Sequence, residues 1–268
     1  MAKDMEMLRK RWYESVPVKF EVVKNLSGRE TMFIGDFPIR NIKAHNLKYL
    51  ESNFTRYRFM TAKMNLYNSL AKYENLPMFS YEFHTRKEQQ KDFNKTFMDY
   101  MVGYDFLFDI DCEPEPKFSY AVAWKVKEVF DKYKIRYYLL YSAGKNNGFH
   151  LRVDYVDMPT EYKKMKYLDL CNLFKRFIHR FKVIHDLPFI DDTITDMRRV
   201  GKAPYSCVYP YYRICLPLTD AQFENFELDK VGVEYWLNHL DQIRNRGLLK
   251  RDGDPNNFKK LIDFYLDD

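Results

Sequence analysis

Hydrophobic and polar positions divide the chain into segments of two periodicities. Residues 4–14 space their apolar positions for a short amphipathic, basic helix. Phe20 to Val23 and Thr31 to Ile34 are short apolar runs either side of the turn signal Asn25-Leu26-Ser27-Gly28, and predict two strands. A helix is predicted over about 45–56, then a strand near Tyr57 to Ala62. The polar segment 84–100, with His84-Thr85-Arg86-Lys87-Glu88, predicts a loop leading into a helix.

The middle of the chain is more sharply patterned. Tyr104-Asp105-Phe106-Leu107-Phe108-Asp109-Ile110-Asp111 reads as an apolar strand ending in alternating carboxylates, closed by Pro114 and Pro116. Phe118, Val122, Val126, Val129 and Phe130 recur at helical spacing, with a stop near Tyr133. Arg136 to Tyr141 is the next strand. Gly144-Lys145-Asn146-Asn147-Gly148 then turns into a strand at Phe149 to Val153, because Asn and Gly tolerate positive φ. Met165, Leu168, Cys171, Phe174, Ile178 and Phe181 mark a long amphipathic helix, and Thr193 to Val200 is extended. After Leu216-Pro217-Leu218 two helices are predicted, about 229–245 and 256–266. Strands and helices alternate, but tight strand-turn-strand pairs also occur. That combination predicts an α/β (α+β) fold with mixed sheets rather than an all-parallel one.

Composition sets outer bounds. The 268 residues suffice for one large domain, or one domain with an appendage, and 46% are hydrophobic, which allows a sizeable core and excludes wholesale disorder. No window approaches the roughly 18 apolar residues of a membrane helix. Met1 to Lys10 is charged and lacks an apolar signal stretch, so an intracellular protein with no membrane partner is expected. Lys and Arg number 44 against 38 Asp and Glu, a net charge of +6, which permits nucleic-acid binding without demonstrating it. Cys112, Cys171, Cys207 and Cys215 form no Cys-x-x-Cys pair, so reduced thiols and no zinc site are expected. The 22 Phe and 22 Tyr are expected mostly in the core, although exposed rings can stack on bases.

Three clusters offer chemistry. Asp109 and Asp111 stand two apart on a strand and so share a face. Adjacent carboxylates repel unless a cation sits between them, and hard oxygen donors suit Mg²⁺ or Mn²⁺. A solvated strand end with helix-capping acids explains the pair equally well, and the residues leave both readings open. In the second cluster, the Gly-flanked loop can bare backbone N–H groups, with Ser142, Lys145 and His150 as further donors, which suits a polyphosphate. It is not a Walker A loop, since a strand follows it rather than a helix. The third cluster, Ile190 to Ser206, holds Asp191, Asp192 and Asp196, then Arg198, Arg199 and Lys202. A third carboxylate can complete a two-metal site, and the bases can neutralise phosphates; a salt-bridged surface turn is the alternative.

In this order the clusters resemble the archaeo-eukaryotic primase superfamily, and most nearly the small catalytic subunit of archaeal DNA primase. The family's hydrophobic-Asp-x-Asp motif is matched by Phe106 to Asp111, and the end of its Ser-Gly-x-x-Gly-x-His motif by Gly148-Phe149-His150. Ser142 and Gly144 lie farther upstream than the family spacing, so the loop is lengthened. In the third motif Asp196 falls on the metal-binding Asp, Arg199 on the first Arg, Lys202 on the second, and Pro204 and Ser206 on the Pro and Ser. The residue between Thr195 and Asp196 is missing, and Cys207-Val208-Tyr209 stands in place of His-Gly-Lys. The family's zinc-binding insertion is absent by cysteine spacing. Arg29-Glu30 resembles an N-terminal family segment.

The resemblance implies a primase-type catalytic domain over 1–217, with an RRM-like half and the active site in a cleft, and a helical C-terminal extension over 218–268. It implies primer synthesis from nucleoside triphosphates on a single-stranded DNA template. Asp109, Asp111 and Asp196 would be catalytic and hold two Mg²⁺ or Mn²⁺ ions. Ser142, Lys145, His150, Arg199 and Lys202 would bind the nucleotide. A large iron–sulfur subunit and replication proteins are the implied partners. Three alternatives stand beside it: a polymerase-β-type nucleotidyltransferase, a primase-like repair polymerase and a non-catalytic nucleic-acid-binding module.

Overall fold

The computed structural model describes residues 2–36, 38–42, 44–75, 98–112, 116–187, 189–192 and 199–267. Helices α1 (Ala2–Glu14) and α2 (Val16–Leu26) lead into strands β1 (Arg29–Ile34) and β2 (Pro38–Ile42) and helix α3 (Leu47–Arg56). Strands β3 (Asn65–Tyr73), β4 (Met101–Tyr104) and β5 (Phe106–Ile110) precede helix α4 (Pro116–Lys132). Strands β6 (Tyr138–Tyr141) and β7 (Phe149–Val153) are followed by helices α5 (Thr160–Lys164) and α6 (Tyr167–His185). Short strands come next: β8 (Ile190–Asp191), β9 (Val200–Lys202), β10 (Cys207–Val208), β11 (Arg213–Ile214) and β12 (Leu216–Pro217). Helices α7 (Asp220–Glu224), α8 (Val233–Leu237) and α9 (Pro255–Leu266) end the described chain.

Two five-stranded sheets result. The first runs β2-β1-β3-β4, with β9 also paired to β3; the second runs β12-β6-β7-β5-β8; β10 and β11 form a separate hairpin. The α+β class read from the sequence is the one observed, and every strand pairing among the described residues is antiparallel.

Several predicted elements are corrected. Phe20 to Val23 is not a strand but part of α2. Val18, Val22 and Leu26 are buried at helical spacing while Phe20 is exposed, so the face that packs, not the β-branched run, decides the element. The strand expected near Tyr57 to Ala62 is a turn whose Phe59 plugs an aromatic cluster with Tyr13, Phe33 and Phe54, and the strand itself comes later, as β3. The apolar run 104–111 is divided at Asp105 between the two sheets. The helix expected over 229–245 is broken, with only α8 between two 3₁₀ turns, Leu228–Val231 and Leu240–Gln242. Residues 84–97 of the expected polar loop, and 193–198 of the expected extended segment, lie outside the described residues.

The second sheet carries the larger core. Phe106, Phe108 and Ile110 of β5 are buried, with Phe174 and Phe181 of α6 and Phe258 of α9 packed on the two phenylalanines at ring-centroid distances near 5 Å. Such aromatic contacts add stabilisation beyond their area.

The crossing between the sheets is polar and buried. Asp105 is fully buried, and its Oδ2 accepts from Arg29 Nη2 at 2.5 Å and Arg152 Nε at 2.8 Å. Its Oδ1 accepts from the Tyr155 backbone N–H at 2.8 Å, and its own N–H donates to the Leu70 carbonyl at 3.0 Å. Arg29 also donates to the Ser69 and Leu70 carbonyls, and Arg152 to Ser69. One carboxylate therefore ties β1 and β3 of the first sheet to β7 of the second. Beside it, Asp154 pairs with Lys72 at 2.5 Å and Lys250 at 3.4 Å. Burial pushes the Asp154 carboxyl up, but Arg29, Lys72 and Lys250 outweigh it and hold its pKa well below the usual carboxylate range.

Two outcomes are expected. Asp105→Asn deprives two buried guanidinium groups of the carboxylate they are hydrogen-bonded to and should cost about 3–5 kcal/mol, read as a fall in the urea midpoint at unchanged slope. Asp154 stays ionised in the fold where the unfolded chain already takes a proton. Its contribution is thus whole above about pH 4 and is lost as pH falls through its lowered folded value. The stability gap between the wild type and Asp154→Asn should be wide at pH 6 and shrink at pH 3; a gap independent of pH would contradict this.

Candidate active site

The carboxylate end of β5 lies between two strands. Asp109 is in register with His150 of β7 on one side and Asp191 of β8 on the other. Residues directly opposed in antiparallel pairs share a face, so the three side chains meet. His150 Nε2 is 3.2 Å from Asp109 Oδ1. Arg199 Nη2 donates to Asp191 Oδ2 at 2.7 Å and lies 3.8 Å from Asp109 Oδ2. The Asp109 side chain is 24% exposed and that of His150 8%, so both lie low in the site. Burial pushes the Asp109 carboxyl up, but His150, then Arg199 and Lys202, hold it below its usual value. Asp111, one residue past the strand and exposed, moves the other way. Burial and the neighbouring Asp109 charge raise it, against a hydrogen bond from Asn146 and the pull of Lys202 and His150. Two carboxylates two residues apart are thus pushed to opposite sides of their ordinary pKa.

The loop between β6 and β7 forms the next wall. The Ser142 N–H donates to the Gly148 carbonyl at 2.9 Å, and Asn147 adopts a left-handed conformation (φ +51°). The Asn147 side-chain oxygen accepts from Tyr141 Oη at 2.7 Å and from Arg213 Nη1 at 2.5 Å. Glycine is required at 148: a Cβ there would stand 2.6 Å from the Ile110 carbonyl, 3.1 Å from Ser142 Oγ and 3.4 Å from Asp111 Oδ1. The same geometry brings Ser142, Gly148 and Asp111 together despite the lengthened loop. A Cβ at Gly144 would stand 2.7 Å from Lys202 Nζ. Lys202 belongs to β9 of the first sheet, so a cation from that sheet reaches the loop of the second. Gly201 beside it faces the His150 ring, 3.9 Å from its Cε1 to the glycine's would-be Cβ.

Of the residues singled out in the sequence, the fold draws Asp109, Asp111, Ser142, His150, Arg199 and Lys202 together where the two sheets meet. Lys145 is exposed on the loop. Asp196 lies outside the described residues, and among those residues no group of three or more His, Cys, Asp or Glu is arranged to hold a metal ion. Sequence reasoning did not assign Asp191, Asn146, Asn147 or Arg213 to the site. Asp191 was visible only as one of several acids before Asp196, and Asn146 and Asn147 only as turn residues of the glycine loop; Arg213 carries no local signal. Tyr67 was missed too. It stands opposite Lys202 on β3 and so shares its face, and its phenol is pushed up by burial, with Cys215 and Asp109 adding to the effect.

The fold is similar to that of a solved polymerase domain. No protein-family model and no curated protein matches the sequence. Among solved structures the chain is similar to the polymerase domain of Mycobacterium tuberculosis ligase D in complex with DNA, with a TM-score of 0.58, covering 87% of this chain and 88% of that one. Sequence identity is 13%, so the likeness is one of fold. Among the described residues, no helix is long and apolar enough to cross a membrane.

Gly148→Ala should separate the loop from the end of β5, costing about 1–3 kcal/mol as overpacking does. Gly232→Ala, whose Cβ meets its nearest atom at an ordinary 3.6 Å, is the control. Thermal melts should show a lowered midpoint for the first and not the second.

Proposed function

We propose that the chain is a template-directed nucleotidyltransferase that builds short primers on single-stranded DNA, in the manner of a primase catalytic subunit. The observation that carries this reading is the meeting of Asp109, Asp111 and His150 from one sheet with Lys202 from the other, across a glycine loop of phosphate-binding type. The donor chemistry fits divalent cations. Asp109 and Asp111 offer hard oxygens, and Asp111 is raised by burial and by the Asp109 charge beside it, a repulsion that a cation would relieve. Mg²⁺ or Mn²⁺ held by these two and by Asp196 would activate an attacking 3′-hydroxyl and neutralise the departing pyrophosphate. His150, oriented by Asp109, would donate to a triphosphate oxygen. Ser142, Lys145 and the loop N–H groups would hold the same phosphates, while Arg199 and Lys202 balance their charge.

A second reading, a primase-like repair or end-joining polymerase, draws support from the likeness to the ligase D domain. It differs in needing a primer terminus, so labelled nucleotides on single-stranded DNA, with and without a primer, separate the two. Synthesis should require Mg²⁺ or Mn²⁺ and vanish in Asp109→Ala and Asp111→Ala, with far-ultraviolet circular dichroism unchanged. Turnover persisting in both variants would end the proposal. His150→Ala should raise the nucleotide KM about tenfold or more while template affinity holds.

A further inference from the structure

Three tyrosines in four residues, Tyr209-Pro210-Tyr211-Tyr212, close the hairpin between β10 and β11. The loop is anchored. The Asn65 side chain accepts from the Tyr209 N–H at 2.6 Å and donates to the Tyr209 carbonyl at 3.0 Å. Tyr212 is buried and packs edge-on against Tyr209, with ring centroids 5.8 Å apart. Tyr211 is different. It is 37% exposed, and among the described residues it stacks on no other ring. Its neighbour is Arg213, whose guanidinium carbon is 5.6 Å from the ring centroid. The same guanidinium donates to Asn147 in the glycine loop. Tyr211 thus stands one side chain away from that loop. On the other side of the tyrosine loop, Lys63 Nζ is 5.5 Å from the Tyr209 ring centroid, and the lysine side chain is half exposed. Its contact with Glu6, at 3.6 Å between two exposed side chains, is weak competition.

One short loop therefore presents two aromatic–cation couples in succession, Lys63 with Tyr209 and Arg213 with Tyr211. A single strand of nucleic acid offers unpaired base faces in alternation with phosphates, and an exposed ring beside a cation matches that alternation. A duplex hides its base faces and gains nothing from the ring.

We propose that Tyr211 is a base-stacking platform for single-stranded nucleic acid beside the glycine loop, with Lys63 set for a phosphate of the same strand. This rests on the nucleic-acid reading above, though not on its chemistry.

The test uses the full chain without metal or nucleotide, in about 50 mM salt. The probe is an oligodeoxythymidine of roughly 15 nucleotides, the span of one single-strand site, carrying one 2-aminopurine. Affinity is read by anisotropy and stacking by quenching. Tyr211→Ala should weaken single-strand binding about tenfold, the usual loss of one stacked base, and abolish the quenching. Tyr211→Trp should keep both. Lys63→Gln should leave quenching intact and lower the salt slope by about one. Duplex and free-nucleotide affinity should be the same in Tyr211→Ala and wild type.

Wild-type single-strand affinity in Tyr211→Ala, an equal loss on duplex, a loss confined to free nucleotide, or no single-strand binding by the wild type would each overturn the proposal. A wild type that binds and quenches but never synthesises would defeat the proposed function and leave the platform standing. Unimpaired single-strand binding by Tyr211→Ala, with synthesis intact in the wild type, would do the reverse.

Discussion

The fold turns on one buried carboxylate. Asp105 sits where the chain leaves the first sheet and enters the second, buried between Arg29 and Arg152. Removing charges from water is expensive, and such a cluster is retained only where its geometry satisfies every group. Here the guanidinium groups also cap the Ser69 and Leu70 carbonyls, so the ions fix the angle at which the two sheets meet. Asp154, which feels the Arg29 charge, spreads the balance outward to Lys72 and Lys250. Asp109 lies four residues along β5 from this point, roughly 13 Å at strand rise. A tilt of β5 at Asp105 would carry directly into the position of Asp109.

The two sheets bring opposite chemistry to the place where they meet. The second supplies acids and the imidazole, arranged by register: Asp109 between His150 and Asp191. The first supplies Lys202, which crosses to the glycine loop. Asp109 is depressed because it lies against cations, and Asp111 is raised by burial and by the charge of Asp109. Under the proposed function, these opposed charges would receive both cations and phosphates.

The hairpin loop is supported from behind rather than from within. Tyr141 and Arg213 both donate to the Asn147 side chain, and Ser119 donates to the Asn146 carbonyl. These contacts hold a glycine-flanked turn in one shape, which is what backbone N–H groups need if they are to meet a phosphate without reorganising. Arg213 links this loop to Tyr211, so the glycine loop and the exposed aromatic rim are parts of one connected structure.

Sequence by itself determined the elements whose pattern is local. The apolar run ending at Asp109 and Asp111, the glycine hairpin before His150, and the long helix through Phe174 and Phe181 were legible because alternation, turn chemistry and helical spacing each act within a few residues. Tertiary structure decided the rest. It made α2 a helix, because the face that buries Val18, Val22 and Leu26 exists only once α2 packs on its neighbours. It made Asn65–Tyr73 a strand, because that segment has mixed polarity and is held by pairing with β1, β4 and β9. It divided one apolar run between two sheets through Asp105, and it brought Asp191 to Asp109, Lys202 to the loop and Arg213 to Asn147. Those partners are separated by tens of residues. Only the register of paired strands and the meeting of two sheets select them, and neither leaves a periodic trace along the chain.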